Sequence, residues 1–361
     1  KTLGVIRLEG LAHQLGFKVP PFDKIGTDIF RGFLENNSIT REKIDEIYGR
    51  AAREGKSENE AYANILKLFS KAKFTREQRT QLKQVFKRMR RLGHPVIAIR
   101  SSSVLEDDKE HQFKGVYETE FFCFSEDAID AMIDFRLFRQ KIKLVYAGIF
   151  SPRAKAYRLK NGIPDEDEMS ILVQCVVGKK HSGNRFYPPL SGVTLFDLYN
   201  VNATISYVNL GLNTKTVKGE YRYRAAYITD PSGKRHYSGS KPGWQSRIGK
   251  HRGEYDFIDT WTRRLVVNHD DAGSSLSQNF YGVDKEVFLS RVSRENPNMT
   301  HISDKFTSKV DEIARKIREA IGPVELEWSI DDEGGINIYQ CRLSPDFTEF
   351  FRQEVELENV S

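Results

Sequence analysis

Through the first hundred residues, apolar positions recur every three or four residues, and that spacing predicts helices. LEGLAHQLGF (8–17) reads as a short amphipathic helix closed by Gly16. The VPPF that follows forces extended chain, because proline disfavours helix at the residue before it. Residues 24–35, 41–54 and 57–72 carry the same helical spacing. Thr75 and Gln78 then form a capping-box pair ahead of an apolar stripe at Leu82, Val85, Phe86, Met89 and Leu92, with Gly93 ending the helix.

After Pro95 the pattern changes. VIAI (96–99) is short, apolar and β-branched, which suits a buried strand, and FKGVYETEFFCF (113–124) alternates like strands around a glycine turn. FSEDAIDAMIDFRLF predicts a helix capped by Ser125 with Asp127 in its first turn. A second helix is expected around 137–148, and MSILVQCVV (169–177) is a further buried strand. From about residue 179 the chain is turn-rich and tyrosine-rich β sequence, with a long Gly/Ser/basic loop at 231–255. A helix at 303–320 precedes a hairpin, VELEWSI–DDEGG–INIYQCR. The expected fold class is α+β, with a helix-rich lobe over 1–178 and a mixed α/β lobe over 179–345. Residues 346–361 read as linker.

Composition narrows the function classes. With 361 residues, 39% hydrophobic and 29% charged, the chain can fill two lobes, and no stretch approaches the roughly 20 apolar residues a membrane helix needs. No membrane partner is expected. Cys123, Cys175 and Cys341 are odd in number and scattered, which suits buried free thiols in a reducing cytoplasm. The opening at Lys1 lacks a secretory signal and reads as a cut from a longer chain. The net charge of +6 is mild and suits a polyanionic ligand. The basic run at Lys83, Lys87, Arg88, Arg90 and Arg91 falls on the solvated face of the 75–92 helix, so nucleic acid is not the expected partner. Strongly salt-dependent oligonucleotide binding would be the sign of that rival reading.

Four segments carry candidate chemistry. GHPVIAIRSSSVLEDD ends a strand in Arg100, whose planar fork suits phosphate oxygens; the alternative is an arginine paired with Glu106, Asp107 or Asp108. FKGVYETEFF offers Gly115, where backbone can approach a ligand closely, and the Thr119 hydroxyl, although one glycine is more often just a turn. In ILVQCVVG, Gln174 interrupts an apolar strand, either to read a base edge or as a satisfied core amide. In VELEWSIDDEGGINIYQCRLSP, Glu325 and Glu327 share one strand face while Gln340 and Arg342 share the returning face. That makes a seat for Mg²⁺ and nucleotide phosphates, or else merely a charged exposed hairpin.

Taken in order, these segments resemble the nucleotide-binding domain of phosphoenolpyruvate synthase, pyruvate phosphate dikinase and rifampicin phosphotransferase. That family shows V-R-S-S-A-x-x-E-D, F-A-G-x-x-x-T, S-x-x-A-x-x-Y-R, V-x-V-Q-x-M-V, S-G-V, G-L-G-E, D-x-E and Q-x-R-P. This chain has IRSSSVLEDD (99–108), FKGVYET (113–119), SPRAKAYR (151–158), ILVQCVV (171–177), SGV (191–193), NLGLNTKTVKG (209–219), ELE (325–327) and QCR (340–342). The opening LEGLAHQLGFKVPPF is similar to the family's entry segment.

The resemblance implies a two-lobed, ATP-grasp-like fold with the nucleotide between the lobes, and ATP and Mg²⁺ as cofactors. It implies that Arg100 and Arg342 meet the phosphates and that Gly115, Val116 and Thr119 belong to the phosphate loop. It further implies that Gln174, Cys175 and Val176 line the adenine pocket and that Glu325, Glu327 and Gln340 hold the metal. The partners it implies are a phosphohistidine domain and a domain binding phosphoenolpyruvate or pyruvate, in a longer chain or a second one. The chain departs from the pattern in five places. No lysine stands at Gly4, where the family's G-G-K lysine would fall; G-L-G-E becomes Gly211-Leu212-Asn213-Thr214; Glu325 replaces aspartate; the DDEGG hairpin is one residue longer than usual; and Q-x-R-P ends as QCRL. A nucleotide-binding sensor or scaffold without turnover is therefore the alternative reading.

Overall fold

In a computed structural model of the protein, the described residues are 1–103, 116–117, 119–125, 130–163, 167–181, 184–196, 204–212, 225–229, 235–238, 257–260, 262–266, 299–322 and 324–343. Gly115, the acidic cluster at Glu106, Asp107 and Asp108, residues 213–219, most of the 231–255 loop and the 346–361 tail lie outside them. The chain forms two compact units. One contains Lys1–Thr2 and Pro20–Val176, and the other contains Leu3–Val19 and Val177–Ser361. Helices and antiparallel sheets make the fold α+β.

Helix α1 (Thr2–Leu15) opens the chain, starting earlier than its apolar stripe suggests, and all but its first residue belongs to the second unit. In the first unit, strand β1 (Phe22–Ile25) leads into helices α2 (Thr27–Asn36), α3 (Arg41–Arg53), α4 (Glu58–Lys71) and α5 (Arg76–Arg91). Thr75 and Gln78 complete a reciprocal capping box on α5, which buries Leu82, Val85, Phe86 and Met89. Leu92, expected on that stripe, is instead exposed, because it lies past the last helical turn at the cap. Gly93 follows at φ 75°, a left-handed conformation that glycine adopts without a Cβ penalty.

Strand β2 (Val96–Ser103) is buried throughout and twice the length of its VIAI core. It lies between β3 (Thr119–Cys123) and β4 (Met169–Cys175) in an antiparallel sheet of order β1-β4-β2-β3. The two helices expected over FSEDAIDAMIDFRLF (124–138) and around 137–148 are, over the described residues, one continuous helix, α6 (Ala131–Ala147). Its buried positions Phe138, Ile142, Val145 and Tyr146 run across the expected break without a glycine or proline to interrupt them. Helix α7 (Pro152–Lys160) is capped by the Ser151 hydroxyl. One sheet face, carrying Ile97, Ile99, Ile171, Val173 and Cys175, packs with the helices around Phe33, Phe69, Phe86 and Tyr146.

The second unit holds short strands β5 (Lys179–His181) and β6 (Arg185–Tyr187), then β7 (Leu190–Phe196), β8 (Thr204–Leu210), β9 (Ala225–Thr229), β10 (Arg235–Ser238), β11 (Phe257–Asp259) and β12 (Arg264–Val266). Helix α8 (Met299–Ile321) precedes the hairpin β13 (Val324–Ile330) and β14 (Ile336–Leu343). The main sheet has the order β10-β9-β8-β7-β13-β14. Val324, Leu326 and Trp328 share a core with Val310, Ile313 and Ile317 of α8 and with Leu8 of α1. A buried polar chain also ties α8 to the sheet. Asp311 accepts from Ser206 at 2.9 Å and Thr229 at 2.7 Å; Ser206 meets Thr194 at 2.7 Å, and Trp328 donates to Thr194 at 2.9 Å. A buried carboxylate is tolerated there because hydroxyls satisfy both oxygens.

Candidate functional site

In the first unit, strand alternation divides β2 cleanly. Ile97 and Ile99 enter the helical core, so Ala98 and Arg100 project from the opposite face. Arg100 pairs across the sheet with Thr119 on one side and Leu172 on the other. Gln174 stands opposite Ala98 on the same face, one diagonal step from Arg100, and its Oε1 accepts from the guanidinium at 3.0 Å. The amide that looked out of place in an apolar strand is thus joined to the arginine of another motif, and both are buried. Cys175 alternates into the core, where burial pushes its thiol up to about 12. Val176 follows the strand and donates its backbone hydrogen to Val96.

Two residues at the chain's start join this strand end. Thr2 donates to Ser102 Oγ through its backbone N–H at 3.2 Å, and its own hydroxyl lies 3.1 Å from the same atom. Lys1 is buried, with its Nζ 3.5 Å from Ser101 Oγ, next in sequence to Arg100. Motif spacing pointed to Gly4 instead. A Cβ there would meet the Cys341 carbonyl oxygen at 2.9 Å, so that position is closed to a side chain unless the backbone shifts. Lys1 lies three residues before Gly4, close to one helical turn.

The turn segment is anchored from below. Val116 and Tyr117 are buried, and the Tyr117 hydroxyl donates to Asp167, which also accepts the Ser103 hydroxyl at 2.6 Å and 2.7 Å. Burial and the neighbouring Asp167 carboxylate together hold the Tyr117 phenol far above its ordinary range. Asp167 therefore ties the segment before Thr119 to the end of β2. The sequence reading did not single out either residue.

In the second unit, the hairpin register sets Glu325 opposite Arg342 and Glu327 opposite Gln340. Arg342 reaches both carboxylates, at 3.8 Å from Glu325 and 3.7 Å from Glu327. All four side chains lie together on the sheet face opposite α8, and Glu325, Glu327 and Gln340 are buried. This is not the exposed charged hairpin of the alternative reading. A bulge between Glu327 and Trp328 re-aims the strand, and Tyr339 emerges beside it to share a hydrogen bond with Ser329 at 2.9 Å.

Two carboxylates and an amide oxygen suit a hard cation that keeps waters or phosphate oxygens as its remaining ligands, as Mg²⁺ does. Among the described residues no group of three or more His, Cys, Asp or Glu forms a dedicated metal cage. Two further motifs also meet in this unit, where Ser191 of SGV donates its hydroxyl to the carbonyl of Gly211 at 2.6 Å.

A family profile described as "Pyruvate phosphate dikinase, AMP/ATP-binding domain" matches residues 3–349. This chain belongs to that family. Among curated relatives of this AMP/ATP-binding domain, the probable phosphoenolpyruvate synthase of Pyrococcus horikoshii is 24% identical over 387 aligned positions, covering 96% of this chain and 42% of that protein. The phosphoenolpyruvate synthase of Pyrococcus furiosus is 27% identical over 395 positions, covering 97% of this chain and 43% of that protein. A shorter match, 33% over 98 residues, links 27% of the chain to the probable phosphoenolpyruvate synthase of Archaeoglobus fulgidus. The chain thus spans less than half the length of the long-matching relatives. All three cysteines are free and buried, and no described helix is long and apolar enough to cross a membrane.

Proposed function

We propose that this ATP-binding domain is the ATP-grasp-type, ATP·Mg²⁺-holding part of a phosphotransferase similar to phosphoenolpyruvate synthase. In this reading it positions ATP for phosphoryl transfer to a histidine on another domain, which passes the phosphoryl group on to an acceptor. The observation that carries the reading is the quartet Glu325, Glu327, Gln340 and Arg342 on one sheet face, the first three buried. Glu325, Glu327 and Gln340 would hold Mg²⁺, which when bound offsets charge on the triphosphate. Arg342 then bridges the carboxylates and the phosphates; Arg100, in the first unit, is a fixed guanidinium suited to phosphate oxygens. Gln174 keeps that guanidinium in place through its Oε1. The segment of Gly115, Val116 and Thr119 cradles phosphate oxygens, with Tyr117 and Asp167 beneath it. Val176 offers apolar surface to the base, and Cys175 supports that strand from the core side.

The alternative, a nucleotide sensor without turnover, draws on the departures at Gly4 and at Asn213-Thr214. The position of Lys1 tempers its first ground, because a lysine does reach the end of β2, at 3.5 Å from the Ser101 hydroxyl, even though Gly4 carries no side chain. Calorimetric titration with ATP, with and without Mg²⁺, tests the binding reading: metal-enhanced affinity supports it, and equal affinity in both conditions removes the metal assignment. Incubation of the whole chain with β-labelled ATP, followed by a search for acid-labile, base-stable label on protein, tests the acceptor. Stoichiometric phosphohistidine on this chain would place the acceptor within it and end the reading.

A further inference from the structure

A basic cavity lies in the helical part of the first unit, built from residues that the nucleotide reading does not use. It encloses about 270 Å³ and is lined by Lys73, Arg79, Arg136, Arg139 and Lys143 over an aromatic floor at Phe74. The sequence places these cations together by helical repeat. Arg136, Arg139 and Lys143 are spaced three and four residues apart and so form one stripe along α6. Arg79 lies one turn into α5, and Lys73 sits in the connection from α4 to α5. Phe74 is buried against Phe33, with ring centroids 4.6 Å apart, which fixes the floor.

Several cations elsewhere in the unit pair with acids: Arg88 with Asp23 at 2.6 Å, Arg50 with Glu46 at 2.7 Å and Lys155 with Glu58 at 3.4 Å. Among the described residues, none of the five cavity cations is paired with a carboxylate, and no acidic side chain lines the cavity. Lys143 is buried and donates only to the Ser70 carbonyl at 2.9 Å. Arg139 stacks on the Phe135 ring at 4.9 Å, and its Nε is buried without an acceptor. Burial first, and then the neighbouring Arg79, lower the pKa of Arg139; burial and then Arg139 do the same to Lys143. Like charges held together in a concavity, with donors left over, raise the local potential for an anion. Among the described residues no carboxylate serves as that anion.

We propose that this cavity is a binding site for a small phosphate-bearing metabolite with at least two negative charges. Planar guanidiniums at Arg136, Arg139 and Arg79 suit phosphate oxygens, and Phe74 gives a short carbon skeleton an apolar surface. The cavity falls just below the range of about 300–1,000 Å³ usual for drug-sized ligands, so its size favours a compact molecule over a polymer.

Pyrophosphate is the probe, titrated calorimetrically into the whole chain and into Arg136→Gln/Arg139→Gln, with ATP·Mg²⁺ titrated into both in parallel. The expected result is that pyrophosphate affinity falls about tenfold or more in the variant while ATP affinity moves less than about twofold. Arg79→Gln, a change at an exposed position, is run alongside and loses pyrophosphate affinity in the same direction, so misfolding of the double variant does not remove the test. Equal pyrophosphate affinity in all three proteins overturns the proposal. So does pyrophosphate binding that survives these changes but vanishes in Arg100→Gln, since the probe would then be occupying the nucleotide groups. An RNA oligonucleotide that binds more tightly than pyrophosphate, and is lost in the same variants, overturns the small-molecule assignment.

Discussion

Arg100 and Gln174 hold each other across neighbouring strands, guanidinium Nη1 to amide Oε1 at 3.0 Å, with both side chains buried. With that oxygen committed to the arginine, Gln174 is, in the proposed reading, a positioning residue for a phosphate-binding group. Gln174→Leu should therefore weaken ATP about tenfold, the scale of one charge-assisted hydrogen bond, and leave adenosine within about twofold. Parallel titrations of the two ligands separate the roles. A loss of adenosine affinity equal to that of ATP would assign Gln174 to the base instead.

Glu327→Ala should reduce the gain in ATP affinity on adding Mg²⁺ while changing metal-free binding little, because the carboxylate supplies both a ligand and a charge. Glu327→Gln keeps the shape and one oxygen, so it should fall between the wild type and alanine. The pair of variants distinguishes ligation from packing: if both lose metal-free ATP binding equally, the buried cluster is serving Arg342 rather than a cation.

Tyr117→Phe removes only the hydroxyl that reaches Asp167. The loss should cost about 1–3 kcal/mol of stability if the carboxylate is left short of a donor. Triphosphate binding should weaken more than adenosine binding, since the segment it anchors leads to Thr119. A melt that falls with no difference between the two ligands would make this a purely structural bond.

Local pattern carried most of these elements, because capping pairs, apolar stripes and alternation are each written within a few residues. The capping box at Thr75 and Gln78, the hairpin from Val324 to Leu343 and the paired faces of Glu325 and Glu327 were all legible in this way. What pattern could not supply was long-range register. Nothing local says that Gln174 meets Arg100, that Lys1 reaches Ser101, or that Asp167 collects Tyr117 and Ser103 from separate segments. Strand β1 was legible only in part: Phe22 ends the extended VPPF, but Lys24 and Ile25 were read as the start of a helix over 24–35. The break placed inside α6 had the opposite cause, since short polar interruptions look like ends when packing is unseen.

The glycine of the SGV motif is explained by packing. A Cβ on Gly192 would collide with the Trp328 indole and lie 2.6 Å from the Tyr207 carbonyl oxygen, in the interior of the sheet. Trp328 is held in place by its bond to Thr194 at 2.9 Å, so the ring has little freedom to yield. Gly192→Ala should destabilise by about 1–3 kcal/mol through overpacking. Trp328→Leu in the same background should recover part of that loss. Thermal melts of the single and double variants provide the check, and strict additivity would mean that the two positions do not compete for space.

Asp331 at the hairpin turn makes the second unit sensitive to acid. Its carboxylate accepts from Lys18 Nζ at 2.8 Å, Gly335 N at 2.6 Å and Asn337 Nδ2 at 3.1 Å. Burial alone would raise its pKa, but these hydrogen bonds outweigh it and hold the group below its ordinary value of 3.8. A depressed folded pKa means that the stabilisation is complete above 3.8 and is lost as pH falls through the lower folded value. Lys18 shows the opposite sign. Its hydrogen bond to Asp331 raises it above 10.5, so its contribution is present below that pH and lost on going above it. Asp331→Asn should therefore be less stable than the wild type at pH 7 by about 1.5–3 kcal/mol, the range for hydrogen bonds to a charged acceptor. The gap should close below pH 3.8 as the native carboxylate takes up its proton. Lys18 also pairs through its backbone with Ile336 and Ile338, so hydrogen exchange at Ile338 should quicken in the variant as the 17–19 segment loosens from β14. A stability gap of the same size at pH 3 and pH 7 would show that the turn depends on the shape of Asp331 and not on its charge.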